Sequence, residues 1–279
     1  MKYKSSKFPK VSIGLPVYNG EKYLEKTLKN LLGQSFSDIE IVISDDGSSD
    51  RTKKICEEYL RKDTRIRYFR QDNNLGMPVK NFRFVLDKAQ GEYFMFASHD
   101  DIWDLKYIEE LVSILDHNPS CSLAFSNYKI KNLLGDGEMN VEVSSSVSDS
   151  KYTRYISRIV ETVPALIFGL FRRNLINSED LILADHFEFH FGNVIALKGK
   201  IKILDKYMMN WGIEGARSSY SVKGKIPGYR KYYTNQLKLI IKNFNFLKWP
   251  LPIAYLSFWM VKLWIKRRIF PQKFNIKFD

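Results

Sequence analysis

Cysteine is scarce in this chain. Its 279 residues contain two, Cys56 and Cys121, and no Cys-x-x-Cys. That excludes a disulfide framework and a dithiol redox motif. Cys56 lies in a helical pattern and reads as a small core residue. A signal peptide is missing: Met1–Lys10 is basic, but no apolar segment follows it, so the expected location is the cytosol. No Gly-x-x-x-x-Gly-Lys-Ser/Thr occurs, which excludes a P-loop. Pro-Val-Tyr-Asn-Gly stands where a dinucleotide-binding fold would carry Gly-x-Gly-x-x-Gly. There is no internal repeat. Acid is nearly absent from the tail, where Ser221–Asp279 carries 13 Lys or Arg and one acid, while the preceding 220 residues are close to neutral. A basic field over the whole molecule would suggest nucleic acid. A basic, aromatic tail points to an anionic surface instead.

What is present alternates between strand and helix patterns. Val11–Val17 is the first strand, and Pro16, which cannot donate to a ladder, is expected to end it. Tyr18-Asn19-Gly20 is a turn. Glu21 opens a helix through Leu32, with Leu24, Leu28, Leu31 and Leu32 on one face. Ile39–Ser44 is a continuously apolar second strand. Asp45 through Asp50 is a polar turn, with Ser49 or Asp50 expected to cap a helix running to about Leu60. Ile66–Phe69, a helix over Val79–Ala89 and a strand over Tyr93–Ala97 complete the alternation. Such spacing gives a parallel sheet with right-handed crossovers. All four strands then end in polar loops along one edge, where open α/β sheets bind ligands.

Further on, Lys106–Leu115 reads as a helix and Leu123–Ile130 as a strand. Gly135–Lys151 is rich in Ser, Gly and acids without period and reads as a mobile loop. Sheet-like sequence resumes at Ala165–Arg172. Leu181–Leu197 reads as helical, Ile201–Leu204 as a strand, and Met208–Ser219 as irregular.

Three groups of residues carry chemistry. Asp100 and Asp101 follow the buried fourth strand, a placement that suits a hard divalent cation. The competing reading is a loop that leads into a helix capped by Asp104. Asp45 and Asp46 end the second strand. A carboxylate there can accept an N–H from a base, with Tyr18 packed on the ring, although an Asx-type turn accounts for the spacing equally well. In Asp185-His186-Phe187-Glu188-Phe189-His190 the histidines are one turn apart. Phe187 stands where the metalloprotease motif needs Glu, so exposed helical histidines are expected and not a zinc site. Asp185 opens the helix, where a carboxylate is stabilised by the dipole and can serve as a base, the competing reading being a helix cap.

Together these segments resemble family 2 glycosyltransferases of the GT-A fold. The resemblance rests on Val11–Glu21, Ile41–Asp50, Asn74-Leu75-Gly76 with Asn81, and Gly91–Trp103, in that order. It covers the first 115 or so residues well and fades after about Gly215. It implies an α/β fold: a GT-A, Rossmann-like, mostly parallel central sheet flanked by helices. Residues 1–220 would form the catalytic domain, with a nucleotide-sugar half to about residue 115 and an acceptor half to 220. Residues 221–279 would form a basic, aromatic helical extension. The implied reaction is inverting transfer from a nucleotide-diphosphate sugar, a UDP-sugar favoured, to a glycan or lipid-linked acceptor.

In that pattern Pro16, Val17, Tyr18, Glu21, Asn74, Gly76, Asn81 and His99 bind the nucleotide sugar, and Asp45 meets the base. Asp100, with Asp101, holds Mn or Mg, and Asp185 is the catalytic base. The usual Asp-x-Asp is altered here, because Ser98 stands where the first acid would be and His99 intervenes. Donor specificity is expected in Asn74–Asn81, His99 and the stretch from Gly135 to Ser219. A nucleotidyltransferase would want a Gly-rich, Arg/Lys-bearing first loop, and a non-catalytic sugar-binding protein would tolerate the lost carboxylate. The partners implied exclude nucleic acid and include an anionic membrane surface met by residues 249–270. Trp249–Val261 is nearly all apolar but shorter than the about 20 residues of a spanning helix. Its aromatic and basic neighbours favour the interface. That would make the protein peripheral on the inner face of the cell membrane.

Overall fold

A computed structural model describes residues 8–131, 138–161, 163–183, 187–212, 228–245, 249–250 and 252–254. Strands β1 (Val11–Val17), β2 (Ile39–Asp45), β3 (Ile66–Arg70) and β4 (Tyr93–Phe96) alternate with helices α1 (Leu24–Leu32), α2 (Thr52–Lys62) and α3 (Pro78–Lys88). They pair in parallel in the order β3-β2-β1-β4. Every residue of β1, β2 and β4 is buried, as a parallel sheet covered on both faces requires. That is why these strands read as largely apolar runs, with Ser12, Glu40 and Ser44 buried among them.

The second half turns the sheet mixed. β5 (Ile102–Trp103) and α4 (Tyr107–His117) lead into the long β6 (Cys121–Lys131), followed by β7 (Glu138–Val141), α5 (Lys151–Val160), β8 (Leu170–Arg172), α6 (Phe187–Lys198) and β9 (Lys200–Trp211). β8 runs antiparallel to both β4 and β6, β9 runs parallel to β6, and β5 closes the edge against β9. The sheet order is β3-β2-β1-β4-β8-β6-β9-β5, with β7 added on β6. One apolar core spans both halves. A smaller one joins α5 to α7 (Gly228–Asn243) through Tyr155, Ile159, Ile240 and Phe244.

Several expectations shift. Pro16 does not end β1: it pairs in register with Ser44. The β4 ladder stops at Gly14, so the missing N–H faces a position β4 no longer reaches. Within the stretch from Gly135 to Lys151, residues 138–141 form β7, and Ser146 bridges Ile201. The Glu-Met-Asn-Val alternation there is too short and too exposed to be read as a strand without its partner β6. β9 runs on to Trp211 where an irregular segment was expected. Ala165–Arg172 is mostly a 3-10 turn, Pro164–Phe168, with only β8 in the sheet. Leu181–Leu183 lies outside α6. No side chain of Ser49 or Asp50 takes the N-cap position of α2, which is Arg51.

Candidate functional site

The loops after β1, β2, β3 and β4 meet on one edge and are tied to each other. The Asn19 N–H donates to Ser48 Oγ at 2.9 Å, and the Ser49 N–H returns a bond to Asn19 Oδ1 at 2.9 Å. Asn19 itself is left-handed, with φ 49°, a conformation asparagine tolerates. The Gly20 and Glu21 N–H groups donate to Thr52 and Asp50. The Glu21 carboxylate accepts the Arg51 N–H at 3.0 Å, at the start of α2. Gly47 carries φ 72°, and a Cβ there would come within 2.9 Å of the Asn74 backbone nitrogen. Glycine thus lets the loop after β2 lie against the loop after β3.

Asp45 is fully buried. Its Oδ1 accepts the Ser48 N–H at 2.9 Å, which realises the turn reading. Its Oδ2 accepts from the Tyr68 hydroxyl at 3.0 Å and from the Arg70 guanidinium. Arg70 also donates to the Ser48 carbonyl at 2.8 Å. The neighbouring Asp46 accepts the Leu75 N–H at 2.8 Å. Burial pushes the Asp46 carboxyl up, and the Leu75 bond opposes that. Asn74 accepts the Gly76 N–H, and the Asn81 amide donates to the Ser44 carbonyl at 2.8 Å, leaving its buried Oδ1 without a hydrogen bond among the described residues. The sequence did not single out Tyr68 and Arg70. Arg70 ends β3 in register with Asp45, and that register was the available signal.

After β4 the chain delivers His99, Asp100 and Asp101. The Thr27 hydroxyl donates to the His99 carbonyl at 2.7 Å, fixing this loop to α1. His99 is buried, which pushes its imidazole pKa down. Its ring lies against Gly20, where a Cβ would come within 3.2 Å. Asp100 is half-buried, and Ser98 Oγ donates to its Oδ1 at 2.5 Å. Asp101 is fully buried. Its Oδ1 accepts the Gly212 N–H at 2.8 Å, while its Oδ2 has no hydrogen-bond partner among the described residues. Burial, with the Asp100 charge second, pushes the Asp101 carboxyl well up. The end of β9 therefore completes this corner, and sequence reading had no local signal for it. Asp104 accepts the Lys106 N–H at 2.8 Å just ahead of α4, but the N-cap position weighed for it is taken by Lys106.

The structure thus brings Pro16, Val17, Tyr18, Glu21, Asp45, Asn74, Gly76, Asn81, His99, Asp100 and Asp101 to one end of the parallel strands. Asp185 and His186 lie outside the described residues. His190 corrects the expectation of exposed histidines. It is buried in α6 and pairs with the Gln236 amide of α7 at 3.0 Å. Its helix face is turned inward by packing that helical spacing alone does not reveal. Cys56 is buried, and burial pushes its thiol up to about 12, as a core residue.

Residues 12–176, more than half of the chain, match the family described as "Glycosyl transferase family 2". The chain belongs to that family. Among family 2 relatives, a Campylobacter jejuni GalNAc(5)-diNAcBac-PP-undecaprenol beta-1,3-glucosyltransferase is 41% identical over 93 residues, 33% of this chain and 30% of that protein. A Bacillus subtilis protein named as a teichuronic acid biosynthesis glycosyltransferase, TuaG, is 34% identical over 122 residues, 44% of this chain and 48% of its own. The chain thus spans about half or less of these two relatives. Staphylococcus aureus TarS 1-349 in complex with UDP-GlcNAc superimposes with TM-score 0.70 at 21% identity, covering 96% of this chain and 76% of TarS 1-349. A Pyrobaculum calidifontis mannosyltransferase in complex with GDP-Man and Mn2+ gives 0.55 at 15%, covering 90% and 69%. These likenesses establish the GT-A fold.

Cation binding by a family 2 chain of this kind can be tested against the donor set. Among the described residues no three His, Cys, Asp or Glu side chains are grouped as a metal cage. Asp100, half-buried on the ligand edge, and the orphaned Asp101 Oδ2 offer hard oxygen donors. That fits a cation such as Mg or Mn, which uses one or two carboxylates and completes its shell with water and substrate phosphates.

Proposed function

We propose that this chain transfers a sugar from a nucleotide-diphosphate sugar, a UDP-sugar favoured, to a hydroxyl of a glycan or lipid-linked oligosaccharide, with inversion. The process would be surface polysaccharide synthesis. The observation that carries the reading is the convergence of Asp45 and Asp100 at the carboxyl ends of β2 and β4, the parallel strands on either side of β1, with the loops after β1 and β2 interlocked. Family membership and the relatives' names support it.

In this reading Asp45 marks the base-binding corner, with Tyr68 and Arg70 fixed against it. Pro16, Val17, Tyr18, Glu21, Asn74, Gly76, Asn81 and His99 line the nucleotide-sugar pocket. Asp100, supported by Asp101, would hold a divalent cation, Mn or Mg. That ion would offset the charge of the departing diphosphate. Asp185 accepts the proton of the acceptor hydroxyl as the oxygen attacks the anomeric carbon. No second carboxylate is assigned as a nucleophile, so a single displacement is favoured. Residues 1–220 form the catalytic unit and 221–279 the extension. No helix among the described residues is long and apolar enough to cross a membrane. Residues 249–270 would hold the protein peripherally on the inner face of the cell membrane.

The test is incubation with individual UDP-sugars and Mn while UDP release is measured. Release that requires an added acceptor supports the transferase. Diphosphate release from a sugar phosphate and UTP would show a nucleotidyltransferase instead. Tight binding without turnover would show a non-catalytic binding protein.

A further inference from the structure

We infer that the outer face of α7, centred on Leu237 and Ile241 with Lys238 and Lys242 beside them, is a docking surface for an anionic lipid membrane. α7 is anchored from within. Ile240 and Phe244 pack on Tyr155 and Ile159 of α5, and Phe244 meets the Tyr152 and Tyr155 rings at 5.2 and 5.4 Å. Gln236 is fully buried, accepts the Tyr155 hydroxyl at 2.9 Å and contacts the His190 ring at 3.0 Å. With that side committed, Leu237 and Ile241 flank the buried stripe and Lys238 and Lys242 lie opposite it, all four facing solvent.

The exposed side is not wholly polar, as that of a helix that only covers a core would be. Leu237 is 39% exposed and Ile241 58% exposed, one turn apart. Lys238 and Lys242, also one turn apart, are exposed along the adjoining stripe. Gly228–Asn243 contains four Lys or Arg and no Asp or Glu. Across the last 59 residues the imbalance is 13 basic residues to one acid. An apolar stripe next to an all-basic stripe suits a surface offering both acyl chains and negative headgroups. A nucleic acid would use the lysines and leave Leu237 and Ile241 without a role. A second copy of this chain would bring the same positive charge against itself.

This inference does not depend on the transfer reaction. It is also separable from the docking proposed for residues 249–270. The test uses the full chain with phosphatidylcholine vesicles, with or without phosphatidylglycerol, at low salt. Wild type should sediment with the phosphatidylglycerol vesicles and stay in solution with phosphatidylcholine alone. Leu237→Ser with Ile241→Ser should lower the partition coefficient at least ~10-fold at an unchanged melting temperature. Should the double variant melt early, Ile241→Ser alone serves, with a smaller expected loss. Lys238→Gln with Lys242→Gln should weaken binding and flatten its salt dependence. If the serine variants bind vesicles as wild type does, the inference is overturned. Loss caused only by Trp259→Ser with Trp264→Ser would also overturn it and assign docking to the tail. It would equally be overturned if wild type ignores anionic vesicles, or if the serine variants only convert a dimer to a monomer.

Discussion

Gly212 lies so close to Asp100 that a Cβ built on it would fall 2.2 Å from the Asp100 carbonyl oxygen and 2.9 Å from its carboxylate Oδ2. The Gly212 N–H meanwhile holds Asp101 at 2.8 Å. The end of the last strand is thus clamped onto the two carboxylates that follow β4. Gly212→Ala must displace one chain or the other, and overpacking of this kind costs about 1–3 kcal/mol. Turnover should fall more steeply, since displacement on the order of 1 Å at a reacting centre costs about 10²-fold. A thermal melt read beside UDP release checks both. Wild-type turnover in the alanine variant would show that the clamp has no bearing on the site.

Asp100→Asn should abolish Mn-dependent turnover with the melting temperature kept. Asp101→Asn should be milder, because the buried Asp101 carboxyl is already held toward its neutral form. Titrating activity against Mn for each variant distinguishes the two roles. Unchanged Mn dependence in Asp100→Asn would reject the assignment.

Asp185→Asn should lower the turnover rate by at least ~10²-fold while donor binding, measured by calorimetry, stays as in wild type. If donor binding weakens and turnover survives, the base lies elsewhere.

Arg70→Ala strands a fully buried carboxylate. Arg70 is itself one-third exposed, so solvent softens the loss, and about 1–3 kcal/mol is expected. Tyr68→Phe removes one neutral donor and should cost about 0.5–1.5 kcal/mol. Arg70→Lys should rescue poorly, because one ammonium does not reproduce the paired contacts to Asp45 and the Ser48 carbonyl. Urea unfolding of the three variants without ligand gives the ranking, and equal midpoints would contradict it.

His190 makes stability depend on pH. Burial lowers its imidazole from the ordinary 6.5 to about 4, with Asp180 acting weakly in the opposite direction. As pH falls through about 6.5 the unfolded chain takes up a proton that the folded protein refuses until near 4. The unfolded state binds more protons in that window, so stability drops as pH drops. Between pH 7.5 and 5 the loss from this group is about 2 kcal/mol. In His190→Gln, which keeps a neutral partner for Gln236, the difference from wild type should shift by about that amount in the variant's favour. Parallel pH profiles would mean that His190 is solvated.

The first half of the fold was legible because its elements state themselves locally. β1, β2 and β4 are buried on both faces, so each is an apolar run whose end is marked by polar residues. Their parallel order follows from the intervening helices, and with it the shared edge that carries Asp45 and Asp100. The second half was less legible. Glu138–Val141 alternates polar and apolar residues, but it is only four residues long and mostly exposed, so it does not stand out from the Ser- and acid-rich stretch around it until β6 pairs with it. His190 resembles an exposed helical residue until α7 closes over it.

By itself the sequence determined the alternating architecture, the placement of the acidic loops on one edge, the family and the basic tail. Tertiary structure decided which donors hold those acids. The Gly212–Asp101 bond joins residues far apart in the chain, and the antiparallel pairing of β5 with β9 sets its register. Arg70 reaches Asp45 only because β3 lies beside β2 in that register. The exposure of Leu237 and Ile241, which flank the buried stripe of α7, follows from Ile240 and Gln236 being the residues turned onto α5. Periodicity within a window reports which face of an element is apolar. What that face meets is fixed by closure of the sheet and the packing of helices upon it, and no local window contains that information.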